Sequence, residues 1–205
     1  MVKDGFRFAL PPLVLGIVLM FFHWWLGAVF VALGLFVLYF FRDPERQIPS
    51  EPGAVVSPAD GRIVEVVDEP LGDRPGKRIS IFLSVFDVHV NRAPVGGQVR
   101  GVEYHRGRFM AAWNEKASLA NEQNAITISA PAGEMTFKQI AGWVARRILC
   151  WTRIGDEVRI GQRIGMIRFG SRVDVWLPAD AEILVRRGQH VAGGATQIAR
   201  WQPMK

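Results

Sequence analysis

From Phe8 to Phe41 the chain runs for 34 residues (41 − 8 + 1) in which the only ionisable side chains are His23 and Tyr39. A run of that kind is not the core helix of a soluble domain. One bilayer span needs about 20 apolar residues and two need about 40 plus a turn, so this run falls between the two. The sequence His23-Trp24-Trp25 followed by Gly27 places interfacial side chains and a flexible residue midway, where the tip of a hairpin is expected. The expectation is a membrane-associated helical hairpin within residues 1–41, with arms at roughly 8–22 and 26–41. Such arms reach about 22 Å at 1.5 Å per residue, enough to enter a bilayer and short of crossing it without thinning or snorkelling. Lys3 and Arg7 at one end and Arg42 and Arg46 at the other put positive charge at both mouths, which the positive-inside rule assigns to the cytoplasmic side of the cell membrane. The run is too long for a signal-peptide core, and no small-residue cleavage site precedes Arg42.

Residues 42–53 carry Pro44, Pro49 and Pro52 among charges and read as a stiff linker. Residues 54–205 then read as a β-domain, one domain by size. Its segments are short, β-branched or alternating, and bounded by Gly, Pro or Asp: 62–67, 78–85, 98–104, 125–129, 135–140, 163–169, 172–177 and 182–186. A helical pattern is confined to Ile140–Cys150, where Ile140, Val144 and Ile148 recur at spacing four. Residues 155–165 and 187–196 share a spacing of glycine, valine and glycine, and with Ser57-Pro58-Ala59-Asp60-Gly61 they follow the glycine-turn grammar of lipoyl and biotinyl domains. The fold class is therefore mainly β, a lipoyl-like sandwich or half-barrel behind a hydrophobic hairpin. That grammar also supplies a rival function, a membrane-anchored carrier or adaptor without catalysis. A carrier would need a lysine at a hairpin tip, and neither Lys116 nor Lys138 lies in one.

The formal net charge of +6 favours an anionic partner. With the apolar run in front, that partner is an acidic lipid surface and not nucleic acid. The basic pairs Arg146-Arg147 and Arg186-Arg187, with Trp143 and Trp151 beside the first, suit a face against headgroups. The lone Cys150 reads as a buried thiol, and no His, Cys, Asp and Glu cluster has metal-ligand spacing.

Gly170-Ser171 lies inside the β-patterned stretch Phe169-Gly170-Ser171-Arg172-Val173-Asp174. A serine hydroxyl that attacks the preceding glycine carbonyl turns the amide into an ester. β-Elimination then leaves a dehydroalanine that hydrolyses to a pyruvoyl group. Glycine allows the close approach and the distorted backbone this needs. His89, between Asp87 and Asn91 ahead of Pro94, is the best acid or base candidate. His105 and His190 read as surface histidines.

Six pieces in register resemble the short-form phosphatidylserine decarboxylase family: Phe40-Phe41-Arg42-Asp43-Pro44-Glu45-Arg46, Ser57-Pro58-Ala59-Asp60-Gly61, Phe86-Asp87-Val88-His89-Val90-Asn91-Arg92-Ala93-Pro94, Lys116-Ala117-Ser118, Asn121-Glu122 and Phe169 to Asp174. The resemblance implies a pyruvoyl-dependent, self-cleaving carboxy-lyase. It implies cleavage between Gly170 and Ser171 into large and small chains, and a pyruvoyl cofactor derived from Ser171. The pyruvoyl forms a Schiff base with phosphatidylserine, carbon dioxide leaves, and phosphatidylethanolamine is released. Membrane lipids are the other implied partner, and association into a homo-oligomer is left open. A serine lipid with ether-linked chains would need a similar site. Asp60 matches an aspartate that, in longer members, helps a histidine activate the serine. Those members carry two histidines three residues apart, whereas here His89 is followed by Arg92. Arginine cannot act as a base near neutral pH. Either His89 serves both steps or self-cleavage relies on strain and oxyanion stabilisation, and the alternative role for Arg92 is to hold the substrate carboxylate or phosphate.

Overall fold

The structure, a computed structural model, describes residues 2–107, 121–142, 147–168 and 171–201. It divides into two compact units, Met1–Glu45 and Arg46–Lys205. The chain is mainly β with an N-terminal helical hairpin.

The first unit is two helices, α1 (Lys3–Met20) and α2 (Trp24–Phe40). α1 starts earlier than the apolar run predicts, because Lys3 to Arg7 extend the same backbone ladder and Asp4 sits favourably in its first turn. The two helices meet along small residues. A side chain on Gly16 would strike the Val31 amide at 2.7 Å and the Gly27 carbonyl at 2.9 Å, and one on Gly27 would strike the Met20 amide at 2.6 Å. Gly27 is thus not a flexible tip residue as the sequence suggests. It is buried in α2 and lets the two backbones approach closely. The tip is Phe21-Phe22-His23, with Phe21 84% exposed and Trp24 75% exposed. Outward-facing Leu10, Ile17 and Leu35 are exposed as well, so this unit shows apolar side chains outside as well as inside. No helix among the described residues is long and apolar enough to cross a membrane.

The second unit contains β1 (Ala54–Val56), β2 (Gly61–Asp68), β3 (Gly76–Leu83), β4 (Val90–Arg92), β5 (Gly97–His105), β6 (Gln123–Ala130) and β7 (Gly133–Ala141). It continues with β8 (Ile148–Cys150), β9 (Glu157–Val158), β10 (Arg163–Ile167), β11 (Ser171–Pro178), β12 (Glu182–Ile183), β13 (His190–Val191) and β14 (Gln197–Arg200). An eight-stranded sheet runs β13-β2-β3-β11-β7-β6-β5-β9, beside two three-stranded sheets, β4-β10-β8 and β1-β14-β12. Every pairing is antiparallel, so short turns suffice between most neighbours. The helix expected over Ile140–Cys150 is not formed at either end: Ile140 ends β7, and Ile148–Cys150 is β8. Trp143, Val144 and Arg146 lie outside the described residues.

β11 is the inner strand on which the core is built. Ser171, Val173, Val175 and Leu177 face one way, register with Leu83, Ile81, Ile79 and Lys77 of β3, and pack with Ile63, Phe137, Ile164 and Ile167 in the core. The alternate residues face the other way, and the first two of them, Arg172 and Asp174, are charged. Arg172 Nε donates to Asp174 Oδ1 at 2.6 Å, and its Nη2 donates to Glu65 Oε2 at 3.1 Å and Ser80 Oγ at 2.7 Å. Arg78 binds Glu65 and Glu69, each at 2.7 Å, and its Nη1 also donates to Ser80 Oγ. A bulge in β2 builds this lattice. Ile63 opposes Ile81 and Glu65 opposes Ser80, which leaves Val64 as the extra residue and turns Glu65 to the charged face.

Burial pushes the Glu65 carboxyl up, but hydrogen bonds and charge from Arg78 and Arg172 more than reverse this and hold it below its ordinary 4.5. A carboxyl depressed in the folded state contributes stability that is complete above about 4.5 and is lost as the pH falls through its lower folded value. Glu65→Gln should therefore lower Tm by several degrees at pH 7, and the gap to wild type should shrink as the pH is taken below 4.5. Calorimetry of the detergent-solubilised chain across pH checks it; a gap constant from neutral to acid would mean that this charge stabilises nothing.

Candidate active site

Ser171 lies at one end of the eight-stranded sheet. Arg62 of β2, Phe82 of β3, Arg172 of β11 and Ile140 of β7 lie in one cross-strand row, and Ser171 is one step beyond it. Ser171 pairs with Leu83 on one side and Ala141 on the other and has no exposed surface. Its Oγ is buried without a hydrogen-bond partner among the described residues. A hydroxyl in that position ordinarily costs stability, so a serine there calls for a chemical reason. Gly170 and Phe169, the residues before it, lie outside the described residues, as do Lys116, Ala117 and Ser118.

The chain leaving Leu83 leads to His89. Asp87 folds it back: the Asp87 amide donates to the Ser84 carbonyl at 3.0 Å, and Asp87 Oδ2 accepts from the Ser84 amide and hydroxyl, each at 2.7 Å. His89 follows, fully buried, with Nδ1 2.8 Å from the Asp87 carbonyl oxygen. A carbonyl can only accept, so this contact assigns the proton to Nδ1 and leaves the lone pair on Nε2 in the neutral ring. The Ile167 amide donates to the His89 carbonyl at 3.3 Å, which ties the histidine to the strand leading into Ser171. His190 is exposed, as the sequence suggests, yet its Nε2 pairs with Asp87 Oδ1 at 3.0 Å and so braces the same turn. His105 is also exposed, 3.8 Å from Glu103.

Val90–Arg92 is a short strand. Its end docks on the Ser57-Pro58-Ala59-Asp60 turn, where the Pro58 carbonyl accepts from the Arg92 amide at 2.9 Å. Arg92 is buried, its Nη1 donates to the Gly161 carbonyl at 3.1 Å, and its Cδ packs on Gly194, where any side chain would come within 2.7 Å of it. Asp60 does not bond its own turn. It accepts from Arg46 Nη2 at 3.0 and 2.8 Å, and from the Gly193 amide at 2.7 Å. Ser171, His89 and Arg92 are not among its hydrogen-bond partners. Arg46 thus belongs to the β-unit and is more than a residue of a linker; its place in the Arg42 to Arg46 motif was the signal available.

Sequence reasoning also missed a set of buried amides. Asn124 Nδ2 donates to Gln139 Oε1 at 2.9 Å, Gln139 Nε2 donates to Asn91 Oδ1 at 2.8 Å, and Asn121 Nδ2 donates to the Ala141 carbonyl at 2.7 Å. Gln139 is the residue of β7 beside Val173, so this chain joins the His89–Arg92 segment to the sheet next to Ser171. The cue was a polar residue on the face that alternation gives to Phe137 and Ala141. Cys150 is half-buried, with Sγ 3.3 Å from the Thr152 carbonyl. No metal-holding cluster is found among the described residues.

The start of β11 therefore holds a buried serine hydroxyl with no partner among the described residues, and the segment after β3 holds a buried histidine whose Nδ1 meets a backbone carbonyl. The family model for phosphatidylserine decarboxylase matches residues 33–199. The phosphatidylserine decarboxylase proenzyme of Symbiobacterium thermophilum is 49% identical over 203 residues, covering 97% of this chain and 94% of that one. That of Carboxydothermus hydrogenoformans is 45% identical over 204 residues, covering 98% and 96%, and that of Cupriavidus pinatubonensis is 49% identical over 186, covering 89% and 85%. The match spans both the N-terminal unit and the β-unit, and the chain belongs to the phosphatidylserine decarboxylase family.

Proposed function

We propose that this chain is a phosphatidylserine decarboxylase made as a proenzyme, which cuts its own backbone before Ser171 and converts that serine into a pyruvoyl group. The observation that carries the reading is the Ser171 hydroxyl, buried without a partner among the described residues at the first residue of β11. It fits a nucleophile held ready for the adjacent peptide carbonyl. The Oγ attacks the Gly170 carbonyl, the peptide C–N bond breaks, and an ester links the two halves. Elimination releases the Gly170 carboxylate, and water hydrolyses the resulting dehydroalanine to the pyruvoyl group and ammonia.

When present, the pyruvoyl carbonyl supplies the electron sink that loss of carbon dioxide from an amino acid requires. The protein's part is to bind, orient and move protons. His89, with its proton on Nδ1 and a lone pair on Nε2, suits accepting and returning a proton at the substrate's α-carbon. Arg92 supplies a permanent positive charge beside the Asp60 turn, and Arg46 neutralises Asp60 so that the turn does not repel an anionic headgroup. Asp60 serves this site by fixing Arg46 and Gly193. The proposed substrate is phosphatidylserine and the product phosphatidylethanolamine, in line with the names of the relatives. The apolar outer surface of the hairpin would hold the protein at the membrane, with the positively charged Lys3, Arg7 and Arg42 on the cytoplasmic side.

Denaturing mass spectrometry should find wild type as two pieces, the smaller of 35 residues (205 − 171 + 1) with a blocked N-terminus, and Ser171→Ala as one chain without activity. A single intact wild-type chain with full activity would sink the proposal. In already processed protein, His89→Gln should cost turnover about 10² to 10⁴-fold while binding changes little, the usual worth of a positioned acid or base; normal turnover would remove His89 from the reaction. Washing membranes with 1 M salt should leave the full-length chain bound, because burial of apolar surface is not screened by ions. Quantitative release by that wash would show an electrostatic contact alone.

A further inference from the structure

Cleavage before Ser171 makes Ser171 the first residue of a separate 35-residue chain, and first residues of strands ordinarily fray. A reacting carbonyl must instead be held to within about 0.5 Å. Backbone pairing with β3 and β7 supplies part of the restraint. The rest is on the opposite face of the strand, one residue along. Arg172 is almost fully buried, and its guanidinium is held at once by Asp174 of its own strand, Glu65 of β2 and Ser80 of β3. Glu65 and Ser80 are themselves held by Arg78. Two of the three acceptors therefore lie on the large chain, and all are charged or shared with a second arginine, the strong and directional kind of hydrogen bond.

We propose that Arg172 is a positioning residue that pins the new end of β11 after self-cleavage, so that the group made from Ser171 keeps the place the serine held. The inference rests on the cleavage reading above. Before the cut, the peptide bond to residue 170 restrains the strand's start and the clamp is partly redundant. After the cut, the clamp and the ladder carry that restraint alone.

The test compares two backgrounds of the full-length chain in detergent, processed enzyme and the uncleaved Ser171→Ala form. Arg172→Met and the milder Ser80→Ala are placed in each. Each substitution should lower the Tm of the processed enzyme at least twice as far as that of the uncleaved form, and should speed amide exchange at Val173 in the processed form only. In processed enzyme, Arg172→Met should lower kcat about tenfold or more with KM within about twofold of wild type, and Arg172→Lys should recover part of the loss. Equal Tm losses in both backgrounds with kcat unchanged would overturn the proposal and make the lattice an ordinary element of the sheet. Arg172→Met that stays uncleaved, with its Tm equal to that of Ser171→Ala, would also overturn it by assigning Arg172 to maturation. If Arg172→Met does not fold, Ser80→Ala decides alone by the same two comparisons. A wild-type chain that remains whole by mass would remove the cleavage reading and the clamp together, an outcome distinct from the other two.

Discussion

Everything at the candidate site depends on one strand being buried on both faces. β11 lies between β3 and β7, with Ser171, Val173 and Val175 turned into the core and Arg172 and Asp174 into a lattice of charge. An apolar second face would have been simpler, since buried ion pairs are often no more stabilising than well-packed hydrophobic residues. What charge supplies instead is register. A slip of β11 by one residue would drive Arg172 and Asp174 into the core and Ser171 out of it, at a desolvation cost of several kcal/mol for each ion. The lattice therefore sets where the serine lies, and the bulge at Val64 that turns Glu65 outward is part of the same device.

The site is organised around cations in a way that separates it from a hydrolase triad. Asp60 is committed to Arg46 and the Gly193 amide, and Nδ1 of His89 is oriented by a backbone carbonyl. A carbonyl fixes the tautomer of His89 without stabilising the imidazolium as strongly as an adjacent carboxylate would. That suits the proton-transfer role proposed for His89. Asp87 contributes its carbonyl to His89 and its carboxylate to Ser84 and His190, so one residue holds the turn together from three sides.

Much of the fold was legible because alternation is a local signal. β2, β3, β5, β6, β7 and β11 were each placed to within a few residues by their period of two, and the hairpin by its lack of charge. The failures share a cause. Ile140, Val144 and Ile148 have helical spacing, but Ile140 and Ile148 belong to strands in different sheets, a tertiary fact that no window of eleven residues contains. Gly27 was read for flexibility when its missing side chain serves close packing against Met20. The two-residue strands β9 and β13 are too short to carry a period. At the site, Ser171 and His89 were visible through their motifs. The Arg46 to Asp60 pair, the Asn124 to Gln139 to Asn91 chain and the bulge that enlists Glu65 were not, since each depends on which strands become neighbours.

The pairing of strands on either side of residue 171 has a consequence for the life history of the molecule. β11 runs between β3 and β7, β13 pairs with β2, and β14 pairs with β1, so the segment after residue 171 is woven through the segment before it at three separate places. While the backbone is whole, those pairings form at the high effective concentration of a single chain. In the cleaved form proposed above, they join two molecules, one of which is far too short to hold a core by itself. On the proposed cleavage, folding must come first and scission second, and the order cannot be run again. An enzyme made this way keeps its structure as an inheritance from its precursor, and a molecule that unfolds after maturation is retired, with a newly synthesised chain its only replacement.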